Sequence, residues 1–225
     1  ISASFESSVL DLQGATTLTS DDTVSFKQVN LNGNVLTLGS ISTHLNLTGS
    51  ETLSLSNLAM ETGGGSLSLS GPLSMSNNGQ LNSTFGTIKL AAGGSVSSGS
   101  TISIPNSTLV LESGLSFSGS TLNAAFTTFT TNNNEISLNN SSILEVQSPA
   151  GTQDLSGVVP DTTSTLRLTN TATITASSVL SVGTLELSDF VLNLDMAGLI
   201  VGQAVTLDAA SEQLRSGETD LSLNG

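Results

Sequence analysis

The 225-residue sequence predicts an all-β protein: a right-handed parallel β-solenoid, or β-helix, of about ten coils with about 21 residues and three short strands in each coil. Three observations predict this fold. Apolar residues alternate with polar ones in short segments, these segments return at nearly constant spacing, and clusters of Gly and Asn separate them. Each coil of such a protein buries its apolar residues by stacking on its neighbours.

One ladder of these segments returns every 21 or 22 residues, as Val24-Ser25-Phe26, Leu45-Asn46-Leu47, Leu67-Ser68-Leu69, Ile88-Lys89-Leu90 and Leu109-Val110-Leu111. Alternate side chains of a strand point to opposite faces of the sheet. We therefore expect Leu67 and Leu69 to be buried and Ser68 to face solvent, and the equivalent residues of every coil to form columns inside the protein.

Two further ladders are offset from the first by about seven residues, which predicts three strands per coil and a triangular cross-section. The second ladder contains Leu10/Leu12, Val29/Leu31, Leu53/Leu55, Leu73/Met75, Val96, Leu115/Phe117 and Ile136/Leu138. The third contains Leu18, Leu36/Leu38, Leu58/Met60, Leu81, Ile102/Ile104, Leu122 and Ile143.

The turns between these strands are predicted by residues that tolerate a positive φ angle, which tight corners require. These clusters are Asn32-Gly33, Gly63-Gly64-Gly65, Asn77-Asn78-Gly79, Gly93-Gly94, Asn132-Asn133-Asn134 and Asn139-Asn140.

Residues 1–225 are expected to form a single solenoid domain with an irregular loop near 148–164. This segment contains two of the four prolines, Pro149 and Pro160, and Pro cannot donate a hydrogen bond within a central strand. We expect either a loop that protrudes from the solenoid or a longer coil, after which the pattern resumes at Leu166.

A short helix is predicted near 208–216. Asp208 is a suitable N-cap, Glu212 and Arg215 lie one helical turn apart, and Gly217 suits a helix end.

The composition excludes several kinds of partner. The net charge is −14, and the four basic residues are spread along the whole chain, at Lys27, Lys89, Arg167 and Arg215. Binding to nucleic acid needs clustered Lys and Arg, and binding to anionic membranes needs a basic patch, so neither partner is expected. No run of apolar residues is long enough to suggest a membrane span.

Catalysis is not expected, and no residue is predicted to be catalytic or to bind a cofactor. Glycan-cleaving β-helices need two carboxylates that face each other, and the best-spaced pair is Glu186 and Asp208, about one coil apart in sequence. Substrate sites of this kind also use aromatic platforms and basic residues, whereas this chain has neither Trp nor Tyr.

Calcium is the one metal that the sequence suggests, because acidic residues are concentrated toward the end of the chain and calcium prefers carboxylate oxygens. The weak candidate ligands are Glu186, Asp189 and Asp208. The glycine-rich calcium-binding nonapeptide is absent, so a solvated acidic surface is the simpler interpretation.

The 148–164 segment is also the first candidate for a contact surface, since loops that protrude from a solenoid carry most specific contacts. Its candidate contact residues are Gln153, Asp154 and Asp161.

With these ladders, the chain resembles the β-helical shafts of secreted bacterial surface proteins, namely autotransporter passengers and filamentous-haemagglutinin-type adhesins. The resemblance lies in segments such as Gly65-Ser66-Leu67-Ser68-Leu69-Ser70-Gly71. It implies a secreted or cell-surface rod, structural or adhesive, that contacts glycans or a host or cell surface.

Self-association end to end into a fibre, or covalent continuation in a longer chain, is expected because the first and last residues are neutral and strand-like. A chain that begins at Ile1 is interpreted as a processed or excised segment. The alternative function is a carbohydrate-active β-helix: a polysaccharide lyase, a hydrolase or a glycan-binding module.

Overall fold

The protein is a parallel β-solenoid in the computed structural model, which describes residues 3–19, 21–148, 151–188, 190–195, 198–206, 213–215 and 220–223. Across these ranges the chain forms 28 strands and no helix, and every strand pairing is parallel. The strands, numbered in chain order, lie on three faces that we call A, B and C.

Face B carries the longest sheet, with eleven strands. It consists of β2 (Thr16–Leu18), β4 (Leu36–Leu38), β7 (Ala59–Glu61), β10 (Gln80–Asn82), β13 (Thr101–Ser103), β16 (Thr121–Ala125), β19 (Ile143–Gln147), β22 (Thr165–Leu168), β24 (Leu180–Glu186), β26 (Gly198–Thr206) and β28 (Asp220–Leu223).

Face A carries a seven-stranded sheet and then a four-stranded one. The first consists of β1 (Ala3–Asp11), β3 (Thr23–Asn30), β5 (His44–Leu47), β8 (Ser66–Leu69), β11 (Thr87–Leu90), β14 (Thr108–Leu111) and β17 (Thr128–Thr130). The second consists of β20 (Thr152–Asp154), β23 (Ala172–Thr175), β25 (Val191–Leu194) and β27 (Gln213–Arg215).

Face C carries a six-stranded sheet. Its strands are β6 (Leu53–Ser56), β9 (Leu73–Ser76), β12 (Gly94–Ser97), β15 (Leu115–Ser118), β18 (Ile136–Asn139) and β21 (Val158–Pro160).

The register confirms the predicted columns of apolar side chains. On face A, Leu67 pairs with Leu45 of the preceding coil and with Ile88 of the next coil, and Ile88 pairs with Leu109. These four side chains are at most 1% exposed, whereas Ser68 lies on the outer surface. The core is a stack of aliphatic residues because each coil contributes the same inward positions.

The predicted corners are confirmed where Asn and Gly occur. Asn32, Asn77, Asn132 and Asn140 all have φ angles near +50°, in the left-handed region that Asn tolerates better than most residues. These positions let the chain turn from one face to the next within three to five residues.

The inward position of β19 differs from the prediction. Leu122 pairs with Leu144 rather than with Ile143, and Leu144 is buried while Ile143 is half-buried. Ile143 and Leu144 are adjacent apolar residues in this strand, and the pairing register places the second of them, Leu144, in the core.

The prediction of a protruding loop near 148–164 is wrong for the residues that the structure describes. Strands β20 and β21 lie inside this segment, and Leu155 and Val158 are buried in the core. The coil is no longer than its neighbour, because Ile143 pairs with Thr121 of the preceding coil and with Thr165 of the next at equal sequence separations.

The physical reason lies in the position of Pro160. It closes the last strand of the face C sheet, where its missing N–H leaves no hydrogen bond of that sheet unmade. Residues 149 and 150, which include the other proline, lie outside the described residues.

The helix predicted near 208–216 is wrong for residues 213–215, which form strand β27. Leu214 pairs with Leu192 of the preceding coil, so the solenoid register prevails over the local capping pattern. Residues 208–212 and 216 lie outside the described part of the chain.

Candidate functional site

Glu186 is the acidic residue that the catalytic and the calcium hypotheses share. It lies in an ion-paired column on the outer surface of face B. Strands β19, β22 and β24 place Glu145, Arg167 and Glu186 in register on three successive coils. The Nε atom of Arg167 lies 2.6 Å from Oε2 of Glu186, and its guanidinium lies 3.2 Å from Oε1 of Glu145.

The electrostatics of this column stabilise the cation. Hydrogen bonding to Glu186 raises the pKa of Arg167, and this effect, with the charges of both carboxylates, outweighs the opposing effect of burial. The column continues to Asn123, whose side-chain amide donates to Oε2 of Glu145 at 3.3 Å. Each of the two acids therefore already has a cationic partner.

The three weak metal candidates are not brought together by the described structure. Glu186 pairs with Arg167, and Asp189 and Asp208 lie outside the described residues. Within the described ranges, no group of three or more His, Cys, Asp and Glu residues is arranged to hold an ion.

Replacing Arg167 with Gln is expected to lower the free energy of unfolding by about 1 kcal/mol, because two carboxylates then lie on either side of this coil without a cation. The loss should shrink at high salt, since salt screens partly exposed charges. Urea unfolding at low and high salt measures both effects.

Lys89→Gln is the matched control for this variant. Lys89 also pairs with an acid one coil away, Glu112 at 2.7 Å, but the two side chains are 43% and 46% exposed, so its loss should change stability little. An equal effect of the two variants would contradict the special role of the Arg167 column.

Gln153, a candidate contact residue, is completely buried instead of facing a partner. Its side chain lies where face A is interrupted between β17 and β20. The Oε1 atom accepts from Thr127 N at 2.8 Å, and Nε2 donates to Thr127 O at 2.7 Å and to Asp154 O at 2.9 Å. The side-chain amide thus replaces the backbone hydrogen bonds that the missing pairing would have supplied.

The other two contact candidates, Asp154 and Asp161, stabilise turns. An oxygen of Asp154 accepts from Ser156 N at 2.9 Å. Asp161 accepts from the backbone and hydroxyl of Thr163 and from the hydroxyl of Ser164, at 2.7–2.9 Å. Both carboxylates are near solvent, so both remain accessible in a way that Gln153 is not.

The pKa of Asp161 reflects this turn. Burial acts to raise it, but the hydrogen bonds from Thr163, Ser164 and Asn140 together outweigh burial and lower the pKa. A lowered pKa in the folded state means that this carboxylate stabilises the protein at neutral pH. The contribution is lost as the pH falls from the unfolded-state value through the lowered one.

An exposed apolar ridge was missed in the sequence. It consists of Ile41, Phe85 and Phe126, which lie at the corner between faces B and A, and their side chains are 75%, 69% and 37% exposed. Phe85 and Phe126 have φ angles of +63° and +52°, which is unfavourable for a bulky residue. Asn106 occupies the equivalent corner of the coil between them with φ +52°.

The signal that could have identified this ridge is a contrast between neighbouring coils. At this corner the neighbouring coils carry Gly63-Gly64 and Asn106, whereas positions 85 and 126 are Phe. A strained backbone with an exposed aromatic side chain costs stability without contributing to the core, which points to a role outside folding.

We expect Phe85→Asn to increase the free energy of unfolding by about 1 kcal/mol, because Asn adopts the left-handed conformation more readily than Phe. Chemical denaturation measures the difference. Asn106→Phe is the reverse variant at the equivalent corner and should be destabilised by a similar amount. A loss of stability in Phe85→Asn would show that the ring contributes to packing.

The described residues contain no helix of the length and apolarity that crossing a membrane requires. Comparison of the chain with protein-family models, with curated proteins and with solved structures finds no match.

Proposed function

We propose that this protein is a non-catalytic structural or adhesive rod of a secreted bacterial surface protein, which projects from the cell or assembles end to end into a fibre. The observation that carries this proposal is the continuous stacking of parallel strands along the chain, which commits most residues to an elongated scaffold. The polar outer surface, rich in Ser, Thr and Asn and strongly negative in net charge, keeps the sides of such rods apart.

The outer edge of β1 supports end-to-end stacking. Strand β1 pairs with β3 on one side, and no described strand lies on its other side. Its Phe5 ring is 49% exposed and stacks on Phe26 with the ring centroids 5.4 Å apart. A further coil, from the same chain or from a second copy, would cover this ring and pair with the open strand edge.

The adhesive part of the proposal rests on the ridge of Ile41, Phe85 and Phe126. The three side chains lie on alternate coils of one corner, and a cluster of exposed apolar side chains on an otherwise polar surface is typical of a contact site. A glycan or a host or cell surface is the expected partner. Loss of surface binding in Phe85→Asn, with retained folding, would support this assignment.

A carbohydrate-active β-helix is the competing function. Such an enzyme would need two carboxylates on either side of a substrate bond, but Glu145 and Glu186, which lie in one column of face B, both bind Arg167. Release of reducing ends or of unsaturated products from a polysaccharide panel would favour the enzyme over the rod.

Electron microscopy and sedimentation velocity over a concentration series test end-to-end assembly. We expect fibres or growing oligomers, and Phe5→Lys together with Val9→Lys should suppress them, because charges on a strand edge block pairing. Val159→Lys, which places the same charge on the side of the rod where Val159 is 43% exposed, should leave assembly unchanged. A protein that stays monomeric at every concentration would contradict the fibre model.

A further inference from the structure

The pairing of strands on face C is interrupted between two coils, which leaves an opening. On this face the end of β3 pairs with β1, where Val29 lies opposite Leu10, and β6 pairs with β9, where Leu53 lies opposite Leu73. Within the described ranges no pairing joins β3 to β6. We call the opening between 28–33 and 52–58 the face C cleft.

The cleft is closed at both ends. At one end, Gly49 N donates to Lys27 O at 2.9 Å, and at the other end Leu36 pairs with Met60. Between these two points the second coil has more residues than the first. The extra residues prevent the second coil from following the first, so the strands separate and then rejoin.

The pairing of β6 with β9 determines which backbone groups of β6 line the cleft. Leu53 N donates to Pro72 O at 2.9 Å and Asn57 N donates to Ser76 O at 3.2 Å, both toward β9. Alternate residues of a parallel strand bond to opposite neighbours, so Ser54 and Ser56 direct their N–H and C=O groups into the cleft.

The opposite wall is built in the same way. Leu12 N donates to Asn30 O at 3.0 Å, on the side of β1, so the backbone of Val29 faces the cleft. The side chains nearby do not close it, because Gln28 donates to Asn30, and Asn30 donates to Asp11 on the outer surface.

The volume and lining of the cleft define what it can hold. It is an open depression of about 340 Å³ beside Val29, Leu31, Ser54, Ser56 and Leu58, and none of its lining side chains is charged. A second volume of about 350 Å³ continues from Gly33 and Leu58 toward the corner with face B. The two volumes share Gly33 and Leu58 as lining residues, so together they extend from face C toward face B.

We propose that the face C cleft binds an extended, uncharged peptide segment of a partner protein as an inserted strand. Ser54 and Ser56 on one wall and Val29 on the other present backbone donors and acceptors, and the repeat of Ser54 and Ser56 matches that of another β-strand. Pairing of this kind takes its affinity from main-chain hydrogen bonds. The uncharged lining complements a neutral segment, and the proposal is independent of the fibre and adhesion proposals.

The interruption of face A, by contrast, needs no partner protein. There the side chain of Gln153 supplies the hydrogen bonds that the missing pairing leaves unmade. Among the described residues, no side chain fills the face C cleft in the same way.

The first test uses an acetylated, fluorescein-labelled peptide with the sequence of residues 73–78, which copies a face C strand. We expect saturable binding measured by fluorescence anisotropy. The same peptide with N-methyl groups on alternate residues keeps its side chains but loses backbone donors, and it should bind at least about tenfold more weakly. Equal binding of both peptides, or no binding of either, would overturn the proposal.

Amide hydrogen exchange of the wild-type protein locates the peptide. The Ser54 and Ser56 amides should exchange rapidly in the free protein and become protected when the peptide is saturating, whereas Leu53 and Leu55 should be protected in both states. Protection of Ser54 and Ser56 in the free protein would show that the cleft is closed. Protection by cellohexaose but not by the peptide would make it a glycan site and overturn the peptide proposal.

Ser54→Pro and Ser54→Ala form a matched pair of variants. Proline removes the N–H that faces the cleft, whereas alanine keeps it, and neither change removes a hydrogen bond between β6 and β9. We expect about tenfold weaker peptide binding for Ser54→Pro and unchanged binding for Ser54→Ala. Circular dichroism confirms folding, and unchanged peptide binding by a folded Ser54→Pro would also overturn the proposal.

Discussion

Leu109→Asp is expected to unfold several coils at once. Leu109 is fully buried between Ile88 and Phe129 of the neighbouring coils, and an unpaired carboxylate there costs several kcal/mol. The loss spreads because each coil is stabilised mainly by the coils next to it. Thermal unfolding followed by circular dichroism should show a large fall in the melting temperature or no folded state.

Two further variants calibrate this effect. Leu109→Ala removes apolar volume without adding charge and should cost about 2–5 kcal/mol. Ser68→Asp adds the same carboxylate on the outer surface, opposite Lys89, and should change stability little. Unchanged melting of Leu109→Asp would show that the inward assignment of this column is wrong.

Gln153→Leu should produce the second largest loss, about 2–5 kcal/mol. The apolar side chain fills a similar volume but leaves the N–H and C=O of Thr127 buried without their partners, and each unsatisfied group costs about 1–3 kcal/mol. Chemical denaturation measures the change. Asp154→Leu, at the exposed neighbouring position, is the control and should have a much smaller effect.

Gln153→Glu separates hydrogen bonding from packing. A protonated carboxyl can accept from Thr127 N and donate to Thr127 O, as the amide does, whereas an ionised carboxylate would face that carbonyl oxygen. Burial favours the neutral form and raises the pKa of such a group. The variant should therefore be more stable at acidic pH and lose stability as the pH rises, and a pH-independent deficit would contradict this mechanism.

The buried amide of Gln153 and the face C cleft both arise where the pairing of strands in neighbouring coils is interrupted. A solenoid tolerates an interruption of the strand pairing only if the backbone groups released from that pairing find other partners. On face A the sequence provides Gln153 at the required position. On face C the released groups of Ser54 and Ser56 face an open groove, which is why we assign binding to that site.

The fold was predictable from the sequence because its signal is local and repeated. The alternation in Leu67-Ser68-Leu69 determines which side chains are buried, and its return one coil later as Ile88-Lys89-Leu90 determines which residues stack. The corners were also predictable, because the tolerance of a positive φ angle is a property of Asn itself. Together these features determined the solenoid, its period and its core.

The tertiary structure alone decided which polar residues pair and which are buried. Gln153 and Asp154 are neighbours of similar polarity, yet one fills the core and the other faces solvent. Glu186 is an ion-pair partner only because the register places Arg167 beside it, and 213–215 is a strand because Leu192 lies opposite Leu214. These outcomes depend on residues a full coil away in the sequence, so no local pattern determines them.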